Sequence, residues 1–152
     1  MRILVTGGGG QLADALDTLC EQDPHCRASH EMRAFRRGEL DVTSEASVVA
    51  AMKDHSPDLV INAAAYTAVD KAESEVDEAM AVNGFAVGVL ARACRSTGAR
   101  LVHVSTDFVF PGTGSNPLQP GDPTGPLSVY GKSKLAGETE CLQTLLRHAV
   151  GQ

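Results

Sequence analysis

Short unbroken apolar runs alternate with longer stretches whose apolar residues recur at helical spacing. Residues 2–6 (Arg-Ile-Leu-Val-Thr) are predicted as a buried strand that runs into four glycines, Gly7 to Gly10. Residues 11–20 follow as a helix with Leu12, Ala15, Leu16 and Leu19 on its apolar side. Residues 21–30, polar and broken by Pro24, read as a loop, and residues 32–35 as a weak second strand ending at Arg36-Arg37. A short helix is expected over residues 45–55, with Thr43 or Ser44 as its N-cap. Residues 58–62 form the next strand, and residues 74–97 a long helix with Gly98 as a C-cap signal. Residues 101–105 read as a β-branched strand.

Residues 111–126 hold five of the seven prolines and four glycines, a loop of the kind that carries function. The last helix is expected over residues 128–149, with Leu135, Leu142, Leu145 and Leu146 on its apolar side. Strands alternating with helices imply βαβ units, hence an α/β fold with a parallel, doubly wound, Rossmann-like sheet. The whole chain, 1–152, reads as one domain, and no strand follows the last helix.

Composition narrows the function classes. The chain has 152 residues, 43% hydrophobic and 21% charged, which is ordinary for a globular domain. A net charge of −6 argues against nucleic acid or an anionic membrane as the main partner. Its longest apolar run, residues 59–66, is interrupted by Asn62 and too short to cross a bilayer. With no signal-peptide pattern at the start, a cytoplasmic location is expected. The four cysteines, at 20, 26, 94 and 141, form no Cys-x-x-Cys, and His25 beside Cys26 has no second ligand pair at zinc spacing. Reduced thiols and no intrinsic metal site are expected.

The Gly cluster sits where a dinucleotide fingerprint belongs, directly after a strand and opening a helix. Gly7 permits the tight turn, and Gly10 lets backbone N–H groups approach a pyrophosphate near Gln11 and Leu12. Ala13 suits close packing of helix on strand. A purely structural turn is the competing reading. After the second strand, Arg36 and Arg37 favour a ribose 2′-phosphate, hence NADPH over NADH, although a basic pair is also a common surface feature. Asp41 and Val42 follow as neighbours of the adenine. Ala63, Ala64, Ala65 and Tyr66, after the third strand, are small enough at the start to let a cofactor lie against the sheet edge.

The catalytic pointer is Tyr130-Gly-Lys-Ser-Lys134. Residues four apart share a helix face, so Tyr130 and Lys134 can meet. A free phenol is a poor acid–base group at neutrality, and a neighbouring ammonium stabilises its phenolate. Thr106, at the end of the fourth strand, can hold a carbonyl oxygen and complete a Thr–Tyr–Lys set.

These segments, together with the runs from Asn62 to Glu75, Ser105 to Gly112 and Pro126 to Glu138, resemble the extended short-chain dehydrogenase/reductase superfamily. Within it they resemble the dTDP-4-dehydrorhamnose reductase family. The resemblance implies NAD(P)H-dependent reduction of the 4-keto group of a dTDP-linked 6-deoxyhexulose to dTDP-L-rhamnose. Tyr130 would give the proton, Lys134 would tune Tyr130 and hold the nicotinamide ribose, and Thr106 would fix the substrate oxygen. Asp107 and Phe108 would border the sugar. Val69, Asp70 and Asn83 would lie near cofactor or substrate, with Asp70 and Asn83 equally readable as structural caps and surface.

Phe108 stands where the family pattern has Tyr. The resemblance also implies a further C-terminal part that supplies more strands and most of the sugar-nucleotide pocket. Without it the fourth strand is expected to be an open edge, a place for an oligomer or a partner chain to dock. Two other readings remain at this point. One is a non-catalytic nucleotide-binding regulatory module, like the methionine adenosyltransferase beta subunit. The other is an epimerase or dehydratase of the same superfamily, which Asp107 partly suits, although Phe108 rather than an acid follows it.

Overall fold

The computed structural model describes residues 1–114 and 117–149, with side chains through Leu145. Four strands, β1 (Arg2–Thr6), β2 (Glu31–Phe35), β3 (Leu59–Asn62) and β4 (Arg100–His103), form one parallel sheet in the order β2-β1-β3-β4. Thr6 pairs with Phe35 on one side and Asn62 on the other, and Asn62 pairs with His103. The C-terminal ends of all four strands therefore share one edge. From β1 the chain winds first to β2 and then back across to β3, so a switch point lies between β1 and β3, where α/β sheets bind ligands. The expected α/β, Rossmann-like parallel sheet is what forms.

Seven helices accompany the sheet among the described residues: α1 (Gln11–Gln22), α2 (Pro24–Ser29), α3 (Glu45–His55), α4 (Val69–Ala72), α5 (Val76–Met80), α6 (Ala86–Thr97) and α7 (Val129–Ala149). Right-handed crossovers in opposite directions place α1 on one face of the sheet and α3 and α6 on the other. Consistently, α3 packs on α6 and α6 on α7. The main core lies between sheet and helices, where Leu4, Val60, Val48, Met52, Leu90 and Cys94 are buried together. Ser44 caps α3 by accepting from the Ser47 N–H, and Gly98 closes α6 with φ 76°.

Several expectations need correction. Residues 21–30 are not a loop: α1 runs to Gln22, and Asp23 starts α2 by accepting from the N–H groups of His25 and Cys26, with Pro24 in its first turn. The buried side of α1 is Ala13 and Cys20, with Leu16 and Asp17 half-buried, whereas Leu12, Ala15 and Leu19 are exposed. Small Ala13 lets the helix lie close to the sheet, and that phase turns the leucines outward.

The expected helix over residues 74–97 is assembled from α5, a π turn at Ala81–Phe85 and α6. On α7, Leu135 and Leu145 are half-buried but Leu142 is exposed, and Leu146 lies outside the described side chains. The inner side of α7 carries Ser133, Lys134, Gly137 and Thr144 instead. Small residues there bring it close to the π turn, and a Cβ on Gly137 would collide with the carbonyl of Asn83.

Val102 and Val104 are exposed, and β4 has a sheet neighbour only on its β3 side among the described residues. Among the same residues no helix is long and apolar enough to cross a membrane, and no three His, Cys, Asp or Glu side chains gather as a metal site.

Candidate functional site: a cleft at the sheet switch point

A cavity of about 720 Å³ opens over the ends of β1 and β3. Its floor begins with the Gly loop. Gly7 adopts φ 76°, and a Cβ there would lie 2.8 Å from the Ala64 nitrogen, so β1 and the Ala63–Ala64 backbone meet only because the residue is glycine. Gly8 has the same role toward β2: its N–H donates to the Phe35 carbonyl at 2.7 Å, and a Cβ would lie 2.8 Å from Phe35 C. That contact was not legible from the Gly spacing alone.

The loop also satisfies its own amides. Gly10 N–H donates to Gly7 O at 3.0 Å, and Gly9 N–H donates to the Asp14 carboxylate at 3.0 Å. Asp14 N–H already donates to Gly10 O, so the first-turn amides of α1 left without an acceptor are those of Gln11, Leu12 and Ala13, all three of which line the cleft. Gly10 thus shapes the approach, and the three residues after it carry the donors.

A buried polar relay ties the strand ends beneath the cleft. Thr6 Oγ1 donates to Asn62 Oδ1 at 2.6 Å and accepts from the Ala64 N–H at 3.1 Å. Asn62 Nδ2 lies 3.1 Å from His103 Nδ1, which places the acceptor role on that ring nitrogen. Burial, with a further push from the Lys134 charge, lowers the His103 pKa to about 4. Thr6 and His103 were not singled out from the sequence. Their signal was the polar residue closing an otherwise apolar strand.

On the side next to β2 the cleft is lined by Arg37, Asp41, Val42 and Thr43. Arg37 reaches Glu78 of α5 at 3.7 Å, so the two side chains face each other across the cleft mouth. Arg36 lies outside the lining, with its guanidinium over Gly9. The Asp41 carboxylate accepts from the hydroxyl and N–H of Thr43, and these bonds, aided by Arg37, hold its pKa below the usual carboxylate range.

Ala63, Ala64, Ala65 and Tyr66 form the wall above β3. The Tyr66 hydroxyl donates to Glu75, which pushes its pKa up to about 12. The Tyr66 backbone is held by Asn83: Tyr66 N–H donates to Asn83 Oδ1 at 2.8 Å, and Asn83 Nδ2 donates to Tyr66 O and Ser133 Oγ, each at 3.0 Å. Asn83 is fully buried and lines no part of the cleft. It is neither a helix cap nor a surface residue: its amide is committed to Tyr66 and Ser133 beneath the wall. Val69 and Asp70, on α4, also stand outside the lining.

The far wall brings α7 to the strand ends. Tyr130 and Lys134 both line the cleft, with Val104 and Ser105 beside them. The Lys134 ammonium donates to Val104 O at 2.7 Å, and Ser105 Oγ donates to the Glu138 carboxylate. Burial lowers the Lys134 pKa, and Glu138 opposes that shift.

Among the described residues no direct hydrogen bond joins the side chains of Thr106, Tyr130 and Lys134. Thr106 Oγ1 is 3.2 Å from Asp107 Oδ1 and accepts from Phe108 N–H, capping a 3-10 turn at Asp107–Val109. Phe108 presents its ring edge-on to Tyr130, with centroids 5.6 Å apart, and is exposed, as is its neighbour Asp107.

A family model described as RmlD substrate binding domain matches residues 1–151. The chain is 48% identical over 144 residues to a dTDP-4-dehydrorhamnose reductase of Streptomyces griseus, covering 95% of this chain and 46% of that one. It is 45% identical to the reductase of Burkholderia thailandensis, again covering 95% of this chain and 46% of the relative. Among solved structures, a dTDP-4-dehydrorhamnose reductase from Clostridium acetobutylicum superposes with a TM-score of 0.88 at 36% identity, over 95% of this chain and 50% of that one. The Bacillus anthracis reductase in complex with NADP gives a TM-score of 0.86 at 33% identity, over 94% and 49%. The chain thus spans about half the length of the curated relatives it matches. A Gly loop at the switch point, a Tyr-x-x-x-Lys helix closing the same cleft and these likenesses lead to one conclusion: the chain belongs to the RmlD family, that of the dTDP-4-dehydrorhamnose reductases.

Proposed function

We propose that this chain is the cofactor-binding part of an NAD(P)H-dependent reductase of sugar nucleotides, acting on the 4-keto group of dTDP-4-dehydrorhamnose to give dTDP-L-rhamnose. The observation that carries the reading is that one cavity joins the first-turn amides of α1 to Tyr130 and Lys134. A dinucleotide spans such a distance with its pyrophosphate at one end and its nicotinamide at the other. The cradle fits the group: a glycine loop too tight for a Cβ, three unpaired helix N–H donors and an alanine wall.

When bound, the reduced nicotinamide supplies the hydride. The chain's own residues do the rest. Gln11 and Leu12 N–H groups hold the pyrophosphate at the positive end of α1. Arg37 faces the adenosine ribose, where a 2′-phosphate would pair with it, so NADPH is the favoured form. Lys134 holds the nicotinamide ribose beside Tyr130. As negative charge develops on the substrate's 4-oxygen, Tyr130 delivers its hydroxyl proton there and recovers one from solvent. Thr106 fixes that oxygen once substrate draws its hydroxyl from Asp107, while Asp107 and Phe108 border the sugar.

Thermal unfolding of the chain with NADPH, NADH or neither is the first test. A ligand at 100 times its dissociation constant adds about 2.7 kcal/mol, so a clear rise with NADPH and a smaller one with NADH is expected. Turnover is then read with the keto-sugar nucleotide, and Tyr130→Phe should abolish it while leaving the NADPH-induced rise intact. A cooperative melt that neither cofactor shifts would overturn the binding assignment. Binding without turnover would favour the regulatory-module reading, which the commitment of Thr106 to Asp107 and Phe108 supports.

A further inference from the structure

Outside the cleft, two nucleophilic side chains are brought together by the element that the sequence pattern did not reveal. Asp23 ends α1 and begins α2, its carboxylate accepting from His25 N–H at 2.8 Å and from Cys26 N–H at 3.4 Å. With Pro24 fixing the first turn, α2 folds back on the last turn of α1. The result is a thiol pair: Cys26 Sγ donates to Cys20 Sγ at 2.9 Å, against about 2.05 Å for a disulfide bond.

We propose that Cys20 and Cys26 are a modification site, oxidised reversibly to an intramolecular disulfide by low-molecular-weight disulfides of the glutathione type. The proposal is independent of the proposed function. Cys20 is buried at 9% exposure whereas Cys26 is half-buried, so the two sulfurs take different parts.

The Cys26 thiolate attacks a sulfur of the external disulfide; the bond between the two external sulfurs breaks, and one thiol leaves with the Cys26 proton. Cys20 then attacks Cys26 Sγ, the mixed disulfide breaks, and a second thiol leaves with the Cys20 proton. Two protein thiols are oxidised and one external disulfide is reduced to two thiols. The hydrogen bond from Cys26, together with burial, Asp17 and Asp23, pushes the Cys20 pKa up to about 11, which fits the resolving role rather than first attack.

Cys94 and Cys141 serve as internal controls, since no hydrogen bond joins either to another sulfur among the described residues and Cys94 is fully buried. The clip lies at the far end of α1 from the cleft, about 18 Å along a twelve-residue helix. It would tie α2 to α1 without entering the cofactor site.

The test is to equilibrate the full chain in a graded series of oxidised and reduced glutathione, quench with acid, and read intact mass and disulfide peptides. The expected result is loss of the mass of two hydrogens, a peptide joining Cys20 to Cys26, and free thiols at Cys94 and Cys141. Repeating the series in urea should weaken the pairing by about tenfold or more, because the fold no longer holds the sulfurs together. In Cys20→Ser a glutathione adduct should persist on Cys26, and in Cys26→Ser no adduct should build up on Cys20. Four free thiols throughout, pairing through Cys94 or Cys141, cross-linked dimers only, or equal pairing in urea would each overturn the proposal.

Discussion

Lys134 sends its ammonium to the carbonyl oxygen of Val104 at 2.7 Å while exposing only 2% of its surface. That bond ties α7 to the chain just past β4, and the Ser105 to Glu138 bond repeats the tie one helical turn further along. The residue that would work on the nicotinamide ribose is thus also a clamp on the strand end leading to Thr106. Burying a lone charge is expensive and burying an apolar side chain is not, so Lys134→Met should leave stability within about 1 kcal/mol of the parent. On the proposed function the same substitution should lower hydride transfer by about 100-fold or more. Urea unfolding and single-turnover oxidation of NADPH check the two halves separately. A variant that loses stability and activity together would make Lys134 mainly a structural tie.

His103 gives a pH dependence with a definite sign. Its pKa in the folded chain is about 4, against an ordinary value of 6.5, because burial and the Lys134 charge disfavour the cation. Between those values the unfolded chain binds the extra proton, so stability falls as the pH drops from 6.5 toward 4. The full penalty is present below about 4. Since the ring is partly exposed, solvent screening reduces the effect to on the order of 1–2 kcal/mol. Carboxylates titrate in the same range, so the readout is the difference from His103→Gln, measured by urea unfolding at several pH values. Parallel curves for parent and variant would remove His103 as the cause.

Both successes and failures of the sequence reading have local physical reasons. The α3 boundaries, the Ser44 cap and the Gly98 stop were legible because capping chemistry is local and needs no tertiary contact. The Asp23-Pro24 start of α2 was legible in principle by the same rule, but its six residues carry too little periodicity to outweigh a polar composition. Asn83 could not be placed, since its direction depends on the π turn at Ala81–Phe85, which shifts the phase of an otherwise regular helix. The cleft residues from Gly7 to Leu12 and from Ala63 to Tyr66 were readable because strand-end position alone brings them together. Thr106 was assigned by its place after β4, whereas its hydroxyl is used by its own turn, a competition that spacing does not reveal.

Gly137 is where helix propensity gives way to packing. A glycine in mid-helix is unfavourable by about 1 kcal/mol relative to alanine, so an exposed position would gain from the change. Here a Cβ would meet the Asn83 carbonyl and come within 3.0 Å of Val87 Cγ2. Gly137→Ala should therefore destabilise, by about 1–3 kcal/mol, with α7 pushed off the π turn. Gly114, which has open space around it, is the control, and Gly114→Ala should change stability by less than about 0.5 kcal/mol. Urea midpoints at constant m-value give both numbers. Stabilisation by Gly137→Ala would mean that α7 does not sit as close as its backbone contacts require.

Asn83 itself supplies a sharper test of the Tyr66 wall. Its amide closes bonds to Tyr66 N–H, Tyr66 O and Ser133 Oγ. Asn83→Leu keeps the volume but leaves those groups without partners, each unsatisfied group costing about 1–3 kcal/mol where water cannot reach it. The expected loss is about 2–4 kcal/mol, read by urea unfolding, with slower amide exchange protection lost first at Tyr66. A variant as stable as the parent would show that water replaces the amide, and would reopen the wall as a mobile element.

Arg37 and Glu78 face each other at the cleft mouth at 3.7 Å, both largely exposed, so their pairing contributes little to folding. Its consequence lies in cofactor choice. If a 2′-phosphate binds beside Arg37, the Glu78 carboxylate competes for the same guanidinium and repels the incoming dianion. Arg37→Ala should then weaken NADPH about tenfold, equivalent to about 1.4 kcal/mol, and leave NADH within about twofold. Glu78→Gln should act in the opposite direction, tightening NADPH about two- to fivefold with a smaller effect on NADH. Both shifts should shrink as salt is raised, because exposed charges are screened over about 10 Å at 0.1 M ionic strength. Dissociation constants from nucleotide fluorescence at two ionic strengths decide the matter: equal losses for both cofactors in Arg37→Ala would make Arg37 a general anion contact and remove the basis for an NADPH preference.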